Sequence, residues 1–323
     1  MPWSAVPASR HSYHGAVALF SGIRPGMQGS KAPPGVLIYV QHLLGVGHLQ
    51  RSIQLASALL QQGLRVDMVS GGKPAGIALP DGLSFHQLPP LHSADGSFTR
   101  LLDEHDKPID DAWRSARSRQ LLEVLESVAP QVLVTETFPF GRRMLRFELL
   151  PLLQAGRARC KLVISSIRDI LQPRNKPGRD QETCEWLDRY YDHVLVHGDP
   201  SLAGLETSFS RTASIQDKLC YSGYICAQHA AQPAGREGCD EVIVSAGGSA
   251  TGLQLLTCAL AARPLTDLAD STWRLLVSPA IAEHDFDALR RDSGDGIIIE
   301  RNRPDFSALI ARARLSISQA GYN

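Results

Sequence analysis

The sequence lacks the features of a membrane, secreted or nucleic-acid-binding protein. No apolar run among its 323 residues approaches the roughly 18 residues that a membrane-spanning helix needs. Its 33 basic and 33 acidic residues balance, so the basic excess of nucleic-acid-binding proteins is missing. None of the six cysteines forms a CxxC pair or has a zinc-ligand spacing to histidine. These absences favour a globular protein with free thiols in the cytoplasm and no nucleic-acid partner.

Composition divides the chain into four segments. Residues 1–34 are rich in Pro, Gly, Ser and His and have no periodicity, which predicts a disordered N-terminal extension; Met27 is an alternative start. Residues 35–226 and 241–323 each carry regular apolar patterns. The small, polar residues 227–240 between them predict a linker.

Both longer segments alternate apolar strand patterns with amphipathic helix patterns. GVLIYVQ (35–41) is a continuous apolar run, as in a strand covered on both faces, and helical spacing follows from Leu49 to Gly63. EVIVSAGGS (241–249) restarts the same order. This alternation predicts an α/β fold with two Rossmann-like, doubly wound domains. Helices are expected at 117–130, 252–262, 282–291 and 304–313, and an irregular loop at 91–112.

A glycine-containing loop follows the first strand of each half, where ligands bind in such sheets. The loops are GVGHLQRS (45–52) and SAGGSATG (245–252). Neither matches GxxxxGK[ST] or GxGxxG, so a redox dinucleotide is disfavoured. Taken singly, each loop is also compatible with a tight strand-to-helix turn, and His48 with a hydrogen-bonded turn histidine.

Together the loops resemble those of glycosyltransferases with the GT-B fold, in particular family 28, which includes the peptidoglycan UDP-GlcNAc transferase. The matching residues are Gly45, Gly47 and His48 in the first loop, and Gly247, Gly248 and Ser249 in the second. The resemblance covers roughly residues 35–323. An uncharacterised bacterial branch of predicted glycosyltransferases is more similar still, through TFPFGRR (137–143), FELLPLL (147–153), SIRDIL (166–171) and VHGDP (196–200).

The resemblance implies inverting transfer of a hexose-type sugar from a nucleotide sugar, with UDP as the expected nucleotide. The donor would lie against the second domain, at Gly247, Gly248, Ser249 and Thr251. A saccharide, lipid-linked or small-molecule acceptor would lie against the first domain. Neither a metal nor a cofactor is expected, because main-chain N–H groups and a helix dipole neutralise the leaving diphosphate. No convincing DxD metal motif is present, and Asp110–Asp111 is expected on the solvated surface.

An inverting transfer needs a base near the acceptor hydroxyl. His48 is the first candidate, because it lies at the mouth of the expected cleft and its ordinary pKa is near neutral. Glu136 and Asp169 follow, since each ends a predicted strand of the first half. A helix N-cap or a surface position is the alternative for both carboxylates.

Arginines give the first half a local positive charge. Arg142, Arg143 and Arg168 could hold an anionic acceptor or phosphates, and solvated charge on a helix is the alternative. Residues 142–153 mix arginine with apolar side chains, a pattern typical of a helix lying on a membrane or of a half-buried core helix. The first interpretation would place the protein peripherally at the inner face of the membrane.

The chain ends in the predicted strand RLSIS (314–318) and a few further residues. The resemblance implies further strand–helix units after this point, so we expect an incomplete, truncated second domain whose activity is in doubt. Two other functions remain open. One is a nucleotide-sugar epimerase or hydrolase, and the other is a non-catalytic sugar- or nucleotide-binding protein.

Overall fold

The computed structural model describes residues 33–43, 45–93, 100–172, 178–225, 235–247, 252–291 and 293–318. These residues divide into two compact units: a larger one that ends at Ile225 and excludes Gly45–Gly47, and a smaller one that contains Gly45–Gly47 and the residues after 225. Residues 1–32 of the predicted extension and 227–234 of the predicted linker lie outside the described residues. Within the described ranges, no helix combines the length and apolarity needed to cross a bilayer.

The larger unit is built on a parallel sheet of seven strands, and two further short strands form a separate antiparallel pair. Among the described residues of this unit, the strands are β1 (Gly35–Val40), β2 (Arg65–Ser70), β3 (Ser84–Gln87), β4 (His92–Ser93), β5 (Leu101–Leu102), β6 (Val132–Glu136), β7 (Leu162–Arg168), β8 (His193–His197) and β9 (Leu219–Tyr221). The sheet has the order β3-β2-β1-β6-β7-β8-β9, and β4 pairs with β5.

Helices cover both faces of this sheet because β1 is apolar on both sides. Val36 and Ile38 belong to one buried cluster with α1, whereas Leu37 and Tyr39 belong to the cluster on the opposite face. Successive side chains of a strand point to opposite faces, so a continuous apolar run needs helices on each. The helices of this unit are α1 (Gly47–Gln61), α2 (Asp111–Val128), α3 (Arg146–Arg159) and α4 (Arg179–Tyr190).

The strand order reverses at β1. From β1 the chain continues through β2 and β3 on one side, whereas β6 to β9 extend the sheet on the other. The connections after β1 and β6 therefore diverge and leave a crevice at the carboxyl ends of these two neighbouring strands. His48 and Glu136 lie at these two ends.

The smaller unit repeats the scheme with four parallel strands in the order β12-β11-β10-β13. Its core contains the fully buried Trp273 with aliphatic side chains from β10 and β11. Its strands and helices are β10 (Val242–Ser245), α5 (Leu253–Ala262), β11 (Trp273–Val277), α6 (Glu283–Arg291), β12 (Ile297–Arg301), α7 (Phe306–Arg312) and β13 (Leu315–Ser318).

Two predicted boundaries in the larger unit were wrong. Helix α2 begins at Asp111 and not at residue 117, because the Asp110 side chain accepts a hydrogen bond from Trp113 N at 2.7 Å and caps the helix. The segment 91–112, predicted as irregular, contains β4 and β5. Asp110 and Asp111 are exposed, as expected for a solvated pair.

Candidate functional site

The site is formed where β1 and β6 end. His48 is the second residue of α1, and its ring lies beside the last residue of β6, Glu136. The Nδ1 atom of His48 is 2.9 Å from Glu136 Oε1. The two residues are 88 positions apart in sequence, so only the parallel pairing of β1 with β6 brings them together.

Glu136 is a buried carboxylate with several hydrogen-bond donors around it. Its Oε1 accepts hydrogen bonds from Arg51 and from Thr137 Oγ1, the latter at 3.0 Å. Its Oε2 accepts one from Ser166 Oγ at 3.0 Å. Burial alone would raise the pKa of Glu136, but the Arg51 charge and the His48 hydrogen bond outweigh it and hold the pKa far below its usual range. Glu136 is therefore ionised.

The ionised carboxylate determines the tautomer of His48. A carboxylate only accepts hydrogen bonds, so Nδ1 carries the proton and Nε2 keeps its lone pair. Burial lowers the pKa of His48, partly opposed by Glu136 and reinforced by Arg142 and Arg51. The ring is therefore neutral at physiological pH. About a third of the His48 side chain is exposed (33%), and the lone pair on Nε2 is the one able to accept a proton.

The turn that follows Glu136 is strained. Thr137 has φ 70°, a left-handed conformation that β-branched residues rarely adopt. Gly141 accommodates it, because a Cβ at position 141 would lie 2.6 Å from Thr137 Cγ2. Backbone strain of this kind costs on the order of 1–3 kcal/mol and collects at functional sites. Here it places the Thr137 hydroxyl against Glu136 and 3.3 Å from His48 Nδ1.

Behind Glu136, the buried network continues across the ends of the next strands. Ser166 Oγ lies 2.8 Å from His197 Nε2, and His197 Nδ1 lies 2.8 Å from Ser222 Oγ. Burial and the nearby Arg51 charge lower the pKa of His197 to about 3, although Glu136 opposes the shift. His197 is therefore neutral inside the protein.

The second predicted carboxylate, Asp169, has other partners. It follows β7, is buried, and accepts hydrogen bonds from Ile170 N at 2.8 Å and Tyr224 Oη at 3.0 Å. Gly198 packs so closely that a Cβ there would lie 2.5 Å from Asp169 Cβ. Through these contacts Asp169 links the loop after β7 to Tyr224. No contact between Asp169 and His48 is found among the described residues.

The predicted arginines separate into different surroundings. Arg142 has φ 58°, donates from Nε to Gln41 O at 3.0 Å, and lies close enough to lower the pKa of His48. Arg143 instead pairs with Glu182 and lies over the Trp186 ring, 4.8 Å from its centroid. Arg168 ends β7 beside His197 of β8. The Arg142 charge acts on both His48 and Glu136.

The apolar side of α3 is covered. Leu149, Leu152 and Leu153 are fully buried in the core of the larger unit, and Glu148 forms a buried ion pair with Arg117. Of the two interpretations of residues 142–153, the structure has the half-buried core helix.

A second buried network fastens the loops around the site. The Arg117 guanidinium donates to Glu148 Oε2 at 2.7 Å, to Gln41 Oε1 at 2.7 Å and to Gly71 O at 3.2 Å. Gln41 follows β1 and Gly71 follows β2, so one side chain ties both loops to α3. Gly45, in the first glycine loop, has open space around its Cβ position and an unstrained backbone.

The second glycine loop is described only at its two ends. Gly247 has φ 72° and accepts a hydrogen bond at its carbonyl from Asn302 Nδ2 at 3.2 Å. Gly252 packs against Ala246. Gly248, Ser249 and Thr251, predicted to bind the donor, lie outside the described residues. Among the side chains that the structure does describe, no group of three His, Cys, Asp or Glu residues is placed to hold a metal ion.

Sequence reasoning missed Arg51, Ser166 and His197. Arg51 follows His48 by one helical turn, and this spacing could have indicated that both side chains face the same carboxylate. Ser166 and His197 lie in segments already noted for their resemblance, but no spacing along the chain indicates that they touch.

The fold is shared with solved structures of low sequence identity. The calicheamicin glycosyltransferase CalG4 is 14% identical, with a TM-score of 0.55 over 91% of this chain and 76% of that one. Os79 from O. sativa, solved in complex with UDP, is 14% identical, with a TM-score of 0.55 over 89% and 77%. The UDP-GlcNAc 2-epimerase from Methanocaldococcus jannaschii is 10% identical, with a TM-score of 0.51 over 88% and 79%.

At the level of sequence, no family model matches the chain and no curated protein is similar to it. The structural similarity nevertheless confirms the predicted α/β fold with two Rossmann-like domains: the chain has the GT-B fold.

Proposed function

We propose that the protein is an inverting, metal-independent glycosyltransferase that moves a hexose-type sugar from a UDP sugar to an acceptor hydroxyl. The observation that carries the proposal is the contact of His48 Nδ1 with the ionised Glu136 at 2.9 Å. This contact commits Nδ1 to the carboxylate and leaves Nε2 as a base at the crevice where ligands bind in such sheets. The same pairing of histidine with a buried carboxylate activates hydroxyl groups in hydrolases.

In the proposed reaction, His48 Nε2 takes the proton of the acceptor hydroxyl. The hydroxyl oxygen forms a bond to the anomeric carbon of the donor as the bond from that carbon to the diphosphate oxygen breaks. The nucleoside diphosphate leaves with the electron pair, and attack from the opposite side inverts the anomeric centre. The imidazolium that forms is stabilised by Glu136, whose charge is already present and oriented.

The donor is assigned to the smaller unit. Gly247 lies just after β10, the first strand of that unit, and has a left-handed backbone. With Gly248, Ser249 and Thr251, it would present main-chain N–H groups and hydroxyls to the diphosphate. The UDP complex of the structurally similar Os79 supports this nucleotide. On the acceptor side we place Gly45, Gly47 and Arg142, next to His48.

The first test is the substitution His48→Ala. We expect turnover of a UDP sugar with its acceptor to fall by about 10²- to 10⁴-fold, the usual contribution of a general base, with the dissociation constant for UDP unchanged. Turnover is followed by release of UDP across a panel of donors and acceptors, and binding is measured by calorimetry. The control is His105→Ala, since His105 is largely exposed (71%) and far along the chain. Undiminished turnover in His48→Ala would remove the assigned role.

An epimerase or hydrolase is a second candidate, because the M. jannaschii UDP-GlcNAc 2-epimerase has the same fold. Incubation with each UDP sugar in the absence of acceptor distinguishes the candidates. An epimerase changes the sugar and keeps its bond to UDP, and a hydrolase releases free sugar. A transferase needs the acceptor for efficient turnover. A protein that binds UDP sugars and releases nothing under any of these conditions would be a binding protein.

A further inference from the structure

Three adjacent strands carry buried polar side chains at or near their carboxyl ends. Glu136 ends β6, Ser166 lies at the same level on β7, and His197 ends β8. Their exposed fractions are 2%, 2% and 0%. Buried polar groups are costly unless they are hydrogen-bonded. Each hydrogen bond between these three residues therefore needs a defined donor and a defined acceptor.

The carboxylate sets the direction of every hydrogen bond in this row. Glu136 is ionised and only accepts, so the single hydroxyl proton of Ser166 points to Glu136 Oε2. Ser166 Oγ must then accept from His197, which places a proton on His197 Nε2. His197 Nδ1 then keeps the lone pair and lies 2.8 Å from Ser222 Oγ. The protons on His197 Nε2 and Ser166 Oγ both point toward Glu136.

This arrangement divides the two oxygens of Glu136 between two sets of partners. Oε2 is occupied by Ser166, whereas Oε1 faces Arg51, Thr137 and His48. A carboxyl group that lost its contact at Oε2 could rotate about its terminal bond, since that torsion is broad. Rotation would move Oε1 away from His48.

We infer that His197 is a positioning residue that acts through Ser166 to hold Glu136 in the orientation that His48 requires. His197 touches neither the donor nor the acceptor in this scheme. The inference extends the proposed function, since it assumes that His48 is the base. The contacts themselves exist whatever the reaction, so the inference can be tested without turnover.

The direct test is a titration of His48 by NMR in protein labelled at histidine, with the His48 signal assigned from the His48→Ala variant. The charged and titratable groups that face His48 are Glu136, Arg51, Arg142 and His42. Of these, Glu136 raises the pKa of His48. In His197→Met the Glu136 carboxylate is no longer held through Ser166, and we expect the pKa of His48 to fall by about one pH unit.

Two further variants distinguish the positioning role of His197 from a general loss of structure. His197→Gln keeps an N–H group able to reach Ser166, and we expect it to restore the wild-type pKa of His48. Ser166→Ala removes the link itself and should lower that pKa as His197→Met does. The matched control is His193→Met, since His193 starts the same strand at its opposite end.

Turnover adds an independent readout. His48 acts as a base when neutral, so activity falls as the pH decreases through its pKa. A lower pKa in His197→Met therefore moves the acid limb of the kcat profile to lower pH. It also weakens the base, and we expect kcat to fall about tenfold with little change in KM for the donor.

The outcomes separate the two proposals. An unchanged pKa of His48 in both His197→Met and Ser166→Ala overturns the positioning role. The same result follows if His193→Met produces an equal shift, or if His197→Gln fails to restore the pKa. A shifted pKa in a protein without transferase activity leaves the positioning role intact and contradicts the proposed function.

Discussion

At the scale of single residues, Glu136 combines burial with charge. A carboxylate removed from water is expensive unless it is paired and hydrogen-bonded. Arg51 supplies the opposite charge, and the two side chains are only 3% and 2% exposed. Thr137 and Ser166 satisfy the remaining acceptor positions. The Arg51–Glu136 ion pair thus serves both the stability of the larger unit and the orientation of His48.

We predict that Glu136→Gln lowers the free energy of unfolding by about 3 kcal/mol, because the buried Arg51 guanidinium loses its counter-charge. Urea unfolding followed by circular dichroism measures the change. The control is Asp111→Asn, which removes a carboxylate whose side chain is 95% exposed and pairs with Arg114. An exposed pair contributes at most about 1 kcal/mol. Equal losses in the two variants would contradict the importance of burial.

At the scale of elements, both glycine loops connect a first strand to a helix, but the space around their glycines differs. In the loop that follows β1, the Cβ position of Gly45 meets nothing within 4 Å. In the smaller unit, Gly252 directly precedes α5, and a Cβ there would lie 2.1 Å from Ala246 Cβ. Gly252 is therefore needed for the close approach of α5 to the end of β10.

We predict that Gly252→Ala destabilises the smaller unit by about 1–3 kcal/mol, because the added methyl group overpacks this approach. The measurement is the urea unfolding transition, with hydrogen exchange of α5 amides to locate the effect. Gly294→Ala is the control, since its Cβ would meet nothing within 4 Å. A Gly252→Ala variant as stable as Gly294→Ala would show that the helix can shift without cost.

At the scale of the whole molecule, buried neutral histidines link stability to pH. The pKa of His197 is about 3 in the folded protein, against an ordinary value of about 6.5 in the unfolded chain. Between these values the unfolded chain binds a proton that the folded protein does not. Stability therefore decreases as the pH falls from about 6.5, and burial of His48 and His42 acts in the same direction.

We predict that His197 contributes a slope of about 1.4 kcal/mol per pH unit to the free energy of unfolding between about pH 4.5 and 6. Glu136 adds to the slope only below about pH 4.5, where the unfolded carboxyl group begins to be protonated. Unfolding by urea at several pH values in this window measures the slope. It should be shallower in His197→Gln than in the wild type. Parallel curves for the two proteins would rule out a neutral buried His197.

The strands were predictable because their apolar patterns are local. The predicted strand at 35–41 agrees with β1 to within one residue, and the predicted strand at 314–318 agrees equally well with β13. Helix α2 was predicted too short because its start is set by the side-chain cap at Asp110, and the prediction followed only the apolar spacing further along the helix. The short strands β4 and β5 carry too few residues to show any period.

The sequence by itself determined the alternation of strands and helices, and with it the doubly wound α/β fold, because hydrophobic periodicity is a property of neighbouring residues. It also indicated His48 and Glu136 one by one, since each follows or ends an apolar strand. Only the tertiary structure decided that these two side chains touch and that Arg51, Ser166 and His197 surround the carboxylate. The physical reason is that strand order in a parallel sheet depends on the packing of the whole chain. Contacts across β1, β6, β7 and β8 therefore leave no regular spacing in the sequence.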